Sequence, residues 1–181
     1  MPLPLTLEAL TVPGNGVGGT VARRARGSFP PMTGIKLVGE DDLRELLPLM
    51  RGYCDFYEVY PSDEALLALS RALLADPENE GVQLIARDHA GRAVGFATVY
   101  WTWQTLSASR LAVMNDLFVS ADARGTGLAD ALIAACADEA RAKGATSLGW
   151  QTAKDNHRAQ KVYDRVGAER SEWVDYSLPV E

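Results

Sequence analysis

The sequence is poor in the residues that build metal centres and covalent cross-links. It has two cysteines, Cys54 and Cys136, and two histidines among 181 residues. Two cysteines so far apart are too few for a zinc site or a disulfide framework. We therefore expect no metal cofactor, and we expect a reducing, cytoplasmic location.

Long apolar runs and a surplus of basic charge are also missing. No stretch approaches the roughly 18 consecutive apolar residues that a membrane span needs, so we expect no membrane partner. The chain has 18 basic and 24 acidic residues, which gives a net charge of −6. Because nucleic-acid binding depends on Lys and Arg neutralising phosphates, we expect no nucleic-acid partner. The acidic balance favours a basic ligand.

Residues 1–33 differ in composition from the rest of the chain. They are rich in proline and glycine and hold three arginines with one acid, a composition that orders itself only at high cost. We interpret them as a flexible extension or a misassigned start, and residues 34–181 as one domain. Within 1–33, Gly14 to Gly19 matches the dinucleotide pattern G-x-G-x-x-G. The flanking strand and helix that this mechanism requires are missing, so we interpret it as linker.

From residue 34 the apolar spacing alternates between strand and helix periods. The predicted order is β-α-α-β-β-β-α-β-α-β, an α/β fold of the mixed α+β kind with a central mixed sheet. The expected strands are 35–38, 82–86, 93–103, 111–119, 145–152 and 169–178, and the expected helices begin near Asp41, Ser62, Leu128 and Asn156.

The most informative stretch begins where the strand 111–119 ends. That strand passes into Arg124-Gly125-Thr126-Gly127-Leu128-Ala129, which opens a helix. A helix N-terminus presents free N–H groups and a positive dipole end, and glycines let a phosphate approach the backbone. This pattern favours an anion site, although a plain strand-to-helix turn has the same glycines. The Lys of a nucleotide-triphosphate loop is missing.

These residues and the segment that follows resemble the GNAT superfamily of acetyl-CoA-dependent N-acetyltransferases. Arg124 to Ala129 is similar to its [QR]-x-x-G-x-[GA] motif, and Asn156 through Tyr163 to Gly167-Ala168 is similar to its N…A…Y…G-[FA] segment. Together with Asn115 to Val119, the match resembles the branch with histone- and polyamine-acetylating enzymes. The resemblance covers about residues 34–178 and implies a GNAT fold, acetyl-CoA as co-substrate and a sheet that is splayed at the acetyl-CoA site.

The resemblance also implies roles for individual residues. The backbone N–H groups of Arg124, Gly125, Thr126, Gly127, Leu128 and Ala129 would hold the coenzyme pyrophosphate. Leu117, Phe118 and Val119 would pair with the pantetheine amides, and Asn156 would contact the coenzyme. Tyr163 would give a proton to the departing sulfur as general acid; its place on an apolar helix face allows packing alone as the alternative.

The general base is harder to assign. An amine attacks the thioester directly, so no enzyme nucleophile is required, but an amine with a pKa near 10.4 must first lose a proton, at about 4 kcal/mol. In related polyamine acetyltransferases a Glu commonly stands where this chain has Asn115, and an amide is no base. Asp116 is the next residue, and neighbours on a strand face opposite sides, so a bulge would be needed to redirect it. Water relayed by weak groups is the alternative.

An acidic and aromatic cluster near the first two helices is a candidate acceptor pocket. It could receive a cationic amine through charge and cation–π contacts, and a solvated helix end is the alternative. Trp101 could line the same pocket or lie in the core. The cluster comprises Tyr53, Asp55, Tyr57, Glu58, Tyr60, Asp63 and Glu64, of which we take Tyr57, Glu58 and Asp63, with Trp101, as substrate-binding candidates.

The sequence therefore predicts an enzyme that transfers the acetyl group of acetyl-CoA to a primary amine. The acceptor is a polyamine-like or other small cationic amine, or a protein lysine or N-terminus. The missing glutamate at Asn115 leaves a second hypothesis, a non-catalytic acyl-CoA-binding regulatory module. Exposed edge strands make a homodimer a further expectation.

Overall fold

The computed structural model describes residues 34–180. The predictions made for residues 1–33 lie outside these described residues. Within 34–180 the fold is mixed α/β, as predicted, and the element order agrees with the prediction up to the last helix. The elements are β1 Ile35–Leu37, α1 Leu43–Phe56, α2 Asp63–Ala75, β2 Gly81–Arg87, β3 Ala93–Gln104, β4 Ser109–Val119, α3 Leu128–Ala142, β5 Ala145–Gly149 and α4 His157–Val166.

The strands form one mixed sheet in the order β1-β2-β3-β4-β5. The first three pairs are antiparallel and β4 pairs with β5 in parallel. The parallel pair needs a crossover connection, and α3 supplies it. In the part of the chain that the structure describes, no helix has the length and apolar character to cross a membrane.

Two apolar cores lie on the two faces of the sheet. Phe96 of β3 packs with α1 residues such as Leu46 on one face, and its neighbour Ala97 packs with α3 residues such as Leu132 on the other. Because side chains alternate along a strand, β3 supplies both cores and is buried from both sides. The sheet is thus held between α1 and α2 on one face and α3 on the other.

The strand β4 is irregular in two ways that shape the site. Its pairing with β3 joins Thr98 to Asp116 and then Val99 to Met114, so Asn115 is an extra residue in a β-bulge. The pairing of β5 with β4 ends at Val113. Within residues 34–180, positions 114–119 of β4 therefore have no strand partner on the β5 side, and the sheet opens there.

The expected last strand over 169–178 is not formed in the described structure. Residues 168–180 follow α4 without regular secondary structure, and the side chains of Trp173 and Tyr176 are 84% and 94% exposed. The residue types favour a β conformation, but a strand is stabilised only by pairing with a neighbour and by burial of one face. Neither contact is made by this segment.

Candidate active site

A cavity of about 320 Å³ lies where β4 and β5 separate. The open half of β4 forms one wall, the end of α1 a second, and the start of α4 with the residues after β5 a third. The lining residues that the sequence indicated are Tyr53, Tyr57, Asn115, Leu117, Phe118, Val119, Arg124, Ala129, Asn156 and Tyr163. The splayed sheet and the motif residues therefore meet at one place, as the resemblance implied.

The glycine turn before α3 forms one end of this cavity. Gly125 and Gly127 have φ values of 82° and 85°, a left-handed conformation that glycine adopts without a steric cost. The Arg124 Nε donates to the Val119 carbonyl at 3.0 Å, and the Thr126 hydroxyl donates to the Ala123 carbonyl at 2.7 Å. The turn is held by its own side chains. The first N–H groups of α3 have no partner within the helix and suit an anion.

The open edge of β4 forms the long wall. Leu117, Phe118 and Val119 all line the cavity, and their unpaired side can exchange hydrogen bonds with an extended ligand. The Val119 carbonyl already accepts from Arg124. Residues of an antiparallel strand turn their backbone groups alternately to its two sides. The Ser120 N–H donates to a β3 carbonyl, so Phe118 also faces β3. The backbone groups of Leu117 and the Val119 N–H are therefore the ones that suit ligand amides.

Asn156 begins α4 and has a structural contact of its own. Its side-chain Oδ1 accepts from the Ala159 N–H at 3.2 Å, which caps the helix. Because the oxygen is used in this way, the Nδ2 group is the part that suits a ligand acceptor. Arg158, in the first turn of the same helix, also lines the cavity and adds a positive charge.

Tyr163 points from α4 toward the cavity and is half-buried. Its ring stands edge-on to Trp150, with 5.3 Å between the ring centroids. Burial raises the pKa of the Tyr163 hydroxyl, the nearby Tyr57 raises it further, and a hydrogen bond with Thr152 lowers it. The net direction is upward, so the phenol keeps its proton at neutral pH. The helix is held in place because Arg165 forms two hydrogen bonds with Asp130 of α3, at 2.6 and 2.9 Å.

The bulge in β4 changes where Asp116 lies. The Asn115 Nδ2 donates to the Asp116 carboxylate at 3.0 Å, a contact that neighbours in a regular strand do not make because they face opposite sides. Burial raises the pKa of Asp116, and hydrogen bonds with Thr98, Asn115 and Tyr53 lower it, with a net upward shift. Asp116 lies behind the lining, between β3 and Tyr53 of α1.

Tyr53 connects Asp116 to the cavity. Burial raises the pKa of the Tyr53 hydroxyl, and the Asp116 carboxylate raises it further. Its ring is 5.1 Å from the Tyr57 ring and 6.4 Å from the Phe118 ring, centroid to centroid. Two phenols, Tyr53 and Tyr57, therefore line the wall beside α1, and the Asp116 carboxylate lies behind Tyr53.

Of the four substrate-binding candidates, Tyr57 lines the cavity, and Glu58, Asp63 and Trp101 do not. Asp63 is engaged by Arg51, whose Nε donates to the carboxylate at 2.6 Å. Glu58 lies in an exposed turn after α1 with a φ of 55°. Trp101 is 8% exposed in the core under α3, and its indole N–H donates to the Pro77 carbonyl at 2.9 Å. Side chains alternate between the two faces along β3, so Trp101 faces α3 while the residues next to it in the strand face the α1 side.

Several lining residues were not singled out from the sequence. Arg158 lies within the matched segment that begins at Asn156, and Trp150 lies shortly before it, so their position in the chain could have indicated them. Phe56 comes directly before Tyr57 at the end of α1. Met114 and Gln151 carry no such signal, because their presence depends on how far β4 and β5 separate.

A five-stranded mixed sheet that opens beside a glycine turn and a helix N-terminus is the architecture that the resemblance to the GNAT superfamily implied. The profile of the Acetyltransferase (GNAT) family matches residues 45–168. A relative from Bacillus subtilis (strain 168), the uncharacterized N-acetyltransferase YhfO, is 33% identical over 147 residues, which cover 81% of this chain and 97% of that protein. The chain belongs to the GNAT acetyltransferase family.

Solved structures agree with this assignment. A crystal structure of a probable acetyltransferase superposes with a TM-score of 0.72 at 31% identity, covering 82% of this chain and 98% of that chain. The aminoglycoside N-acetyltransferase AAC(6')-Iy, solved in complex with CoA, has a TM-score of 0.70 at 25% identity, covering 81% and 93%. The protein is an acetyl-CoA-dependent N-acetyltransferase.

Proposed function

We propose that the protein acetylates the primary amine of a small cationic acceptor, with Asp116 as general base and Tyr163 as general acid. The observation that carries this proposal is the β4 bulge, which brings a carboxylate to the aromatic wall of the cavity at Tyr53. A carboxylate is thus present one residue beyond Asn115. The missing glutamate at Asn115 motivated the regulatory-module hypothesis, and a nearby carboxylate weakens that reason.

Acetyl-CoA would occupy the end of the cavity formed by β4, the glycine turn and α4. The N–H groups at the start of α3, from Arg124 to Ala129, hold the pyrophosphate. Leu117 and the Val119 N–H pair with the pantetheine amides, and Asn156 donates through its Nδ2. The positive charge of Arg158 suits the phosphates of the coenzyme. The chemistry of these groups fits an anionic, amide-containing ligand.

The acceptor would enter beside α1. Tyr53 and Tyr57 offer aromatic faces to a cation, and the Asp116 carboxylate adds a negative charge in a partly dry place, where it acts more strongly than in water. A small amine suits the volume of about 320 Å³, which it shares with the acyl end of the coenzyme. A protein lysine or N-terminus is the alternative acceptor that an amine panel tests.

The proton transfers follow from the two pKa directions. The ammonium gives a proton to the Tyr53 hydroxyl, which lines the cavity, as that hydroxyl passes its own proton to Asp116. The raised pKa of Asp116 lies closer to neutral pH and makes the carboxylate a better base. The free amine attacks the thioester carbonyl carbon, the C–S bond breaks, and the thiolate takes a proton from Tyr163. Positioning of the two substrates supplies much of the remaining rate.

A thiol-release assay over a panel of amines tests the proposal. The panel contains a polyamine, an amino sugar, a lysine-containing peptide and a neutral amide as a blank. We expect release of CoA thiol with a cationic small amine, and a loss of that release in Asp116→Asn. Turnover with the peptide alone would contradict the small-acceptor part. A homodimer and a cytoplasmic location stay predictions.

A further inference from the structure

Three polar side chains lie side by side across the sheet, next to the proposed base. Gln83 of β2 pairs with Thr98 of β3, and Thr98 pairs with Asp116 of β4. Residues paired directly across strands share one face. The three side chains therefore form a row on the face that packs against α1 and α2.

The row is buried in an apolar setting. Gln83 is 4% exposed and Thr98 is fully buried, while Ile85 and Phe96 beside them belong to the apolar core under α1. Buried polar side chains in a core weaken it unless hydrogen bonds compensate. The polar groups of this row therefore depend on the hydrogen bonds that they make with one another.

The hydrogen bonds of the row run in one direction. The Gln83 Nε2 donates to the Thr98 Oγ1 at 3.2 Å. A threonine hydroxyl carries one proton, and because its oxygen accepts from Gln83, that proton is available to the Asp116 carboxylate. The hydrogen bond between Thr98 and Asp116 lowers the pKa of the carboxyl group.

This arrangement leaves one polar atom of Gln83 without a hydrogen bond. Its Oε1 is the buried side-chain atom that lacks a hydrogen-bond partner among residues 34–180. With the amide reversed, Oε1 would face Thr98 and would take the hydroxyl proton for itself. The observed orientation leaves one oxygen unsatisfied and keeps the Thr98 proton directed at Asp116.

We propose that Gln83 and Thr98 are positioning residues for the general base, a buried hydrogen-bond relay that orients the Asp116 carboxylate from inside the sheet. This inference rests on the proposed role of Asp116. The relay fixes the carboxylate through a charge-assisted hydrogen bond, which is shorter and stronger than one between neutral groups. A carboxylate held on this side keeps its remaining lone pairs for the ammonium proton.

The relay also offsets the effect of burial on Asp116. The titratable groups that face Asp116 are Tyr53 from α1 and Tyr100 from β3, and both have a raised pKa. Both phenols stay neutral over the working pH range. Hydrogen bonds from Thr98, Asn115 and Tyr53 lower the pKa of Asp116 and so act against burial, and no cation is among these neighbours.

The test compares Thr98→Val, which removes the hydroxyl, with Thr98→Ser, which keeps it. The side-chain carboxyl carbon of Asp116 is titrated by ¹³C NMR in the full-length protein without substrate. We expect the midpoint to rise by about 1 pH unit in Thr98→Val and by less than about 0.3 in Thr98→Ser. Gln83→Leu raises it by an intermediate amount. An unchanged midpoint in Thr98→Val overturns the relay.

Two further measurements keep the inference separable from folding and from the proposed base. In the wild-type protein the Thr98 hydroxyl proton is followed by ¹H NMR, and its shift titrates with the Asp116 midpoint. A shift that stays constant through this midpoint overturns the relay even where Thr98→Val does not fold. Unchanged turnover in Asp116→Asn contradicts the proposed base and leaves the measured relay standing.

Discussion

The two halves of the active site are built in different ways. The proposed coenzyme half would use backbone groups from one continuous stretch, Arg124 to Ala129, together with the start of α4. The acceptor half uses side chains from three separate elements, with Tyr53 from α1, Thr98 from β3 and Asp116 from β4. A motif in the sequence therefore indicates the proposed coenzyme site, whereas the proposed acceptor site and base depend on tertiary pairing.

The largest expected effect is on kcat, when the proposed donor of the proton to the departing thiolate is removed. Tyr163→Phe keeps the ring against Trp150 and removes the hydroxyl, so kcat falls by about 10²-fold while the Kd for acetyl-CoA stays within a factor of about two. Stopped-flow thiol release and calorimetry measure the two quantities. Tyr176→Phe, at an exposed position after α4, is the control. Equal losses in both variants, or none in Tyr163→Phe, would remove the acid role.

The next effect separates the coenzyme half from the rest of the molecule. Gly125 and Gly91 have similar φ values, 82° and 80°, and both have open space where a Cβ atom would lie. Alanine at either position therefore costs about 1–2 kcal/mol of stability through the left-handed backbone. Gly125→Ala also disturbs the anion turn and raises the Kd for acetyl-CoA by about tenfold. Chemical denaturation and calorimetry check this, and an equal Kd for both variants would contradict the turn's role.

A smaller effect comes from the contact between the two halves. A Cβ atom on Gly52 of α1 would lie 2.8 Å from the Cζ atom of the Phe118 ring. Gly52→Ala forces this ring to move along the cavity wall. Alanine favours the helix more than glycine does, but the overpacking outweighs this gain, so the free energy of unfolding falls by about 1 kcal/mol. Adding Phe118→Leu should restore the loss in a double-mutant cycle. Simple additivity would show that the contact is not formed.

The smallest effect concerns stability and pH in the acceptor half. The pKa of Asp116 is raised above its ordinary value of 3.8, so the folded state binds more protons than the unfolded state between these two values. The stability contributed by the protonated form is present below the ordinary pKa and is lost as the pH rises through the folded-state pKa. Asp116→Asn should therefore raise the Tm by about 2 °C at pH 7 and leave it unchanged near pH 3. A lower Tm at pH 7 would contradict the direction of the shift.

The features that are predictable from the sequence are local ones. The order of elements up to α4, the glycine turn and the cap at Asn156 depend on residues close together in the chain, so their spacing indicates them. From the sequence, a bulge at Asn115 is only a condition that Asp116 must meet to serve as general base. Whether it forms depends on the pairing of β4 with β3. The burial of Trp101 under α3 depends equally on that pairing.

The last expected strand shows the same limit. Residues 169–178 have the composition of a strand, yet composition says nothing about whether a sheet edge is in reach. The relay from Gln83 to Asp116 is equally invisible in the sequence, since the three residues are far apart in the chain and meet only through strand register. Sequence spacing therefore indicates the proposed coenzyme site, and the structure is needed to find the groups around the proposed base.

The most direct test of Asp116 as the base is the pH dependence of kcat in Asp116→Asn with a cationic primary amine. We expect a loss of about 10²-fold at pH 7 that shrinks as the pH rises toward the pKa of the amine, because the free amine then forms without a base. Wild-type turnover at pH 7, or a loss that stays constant with rising pH, would contradict this role for Asp116.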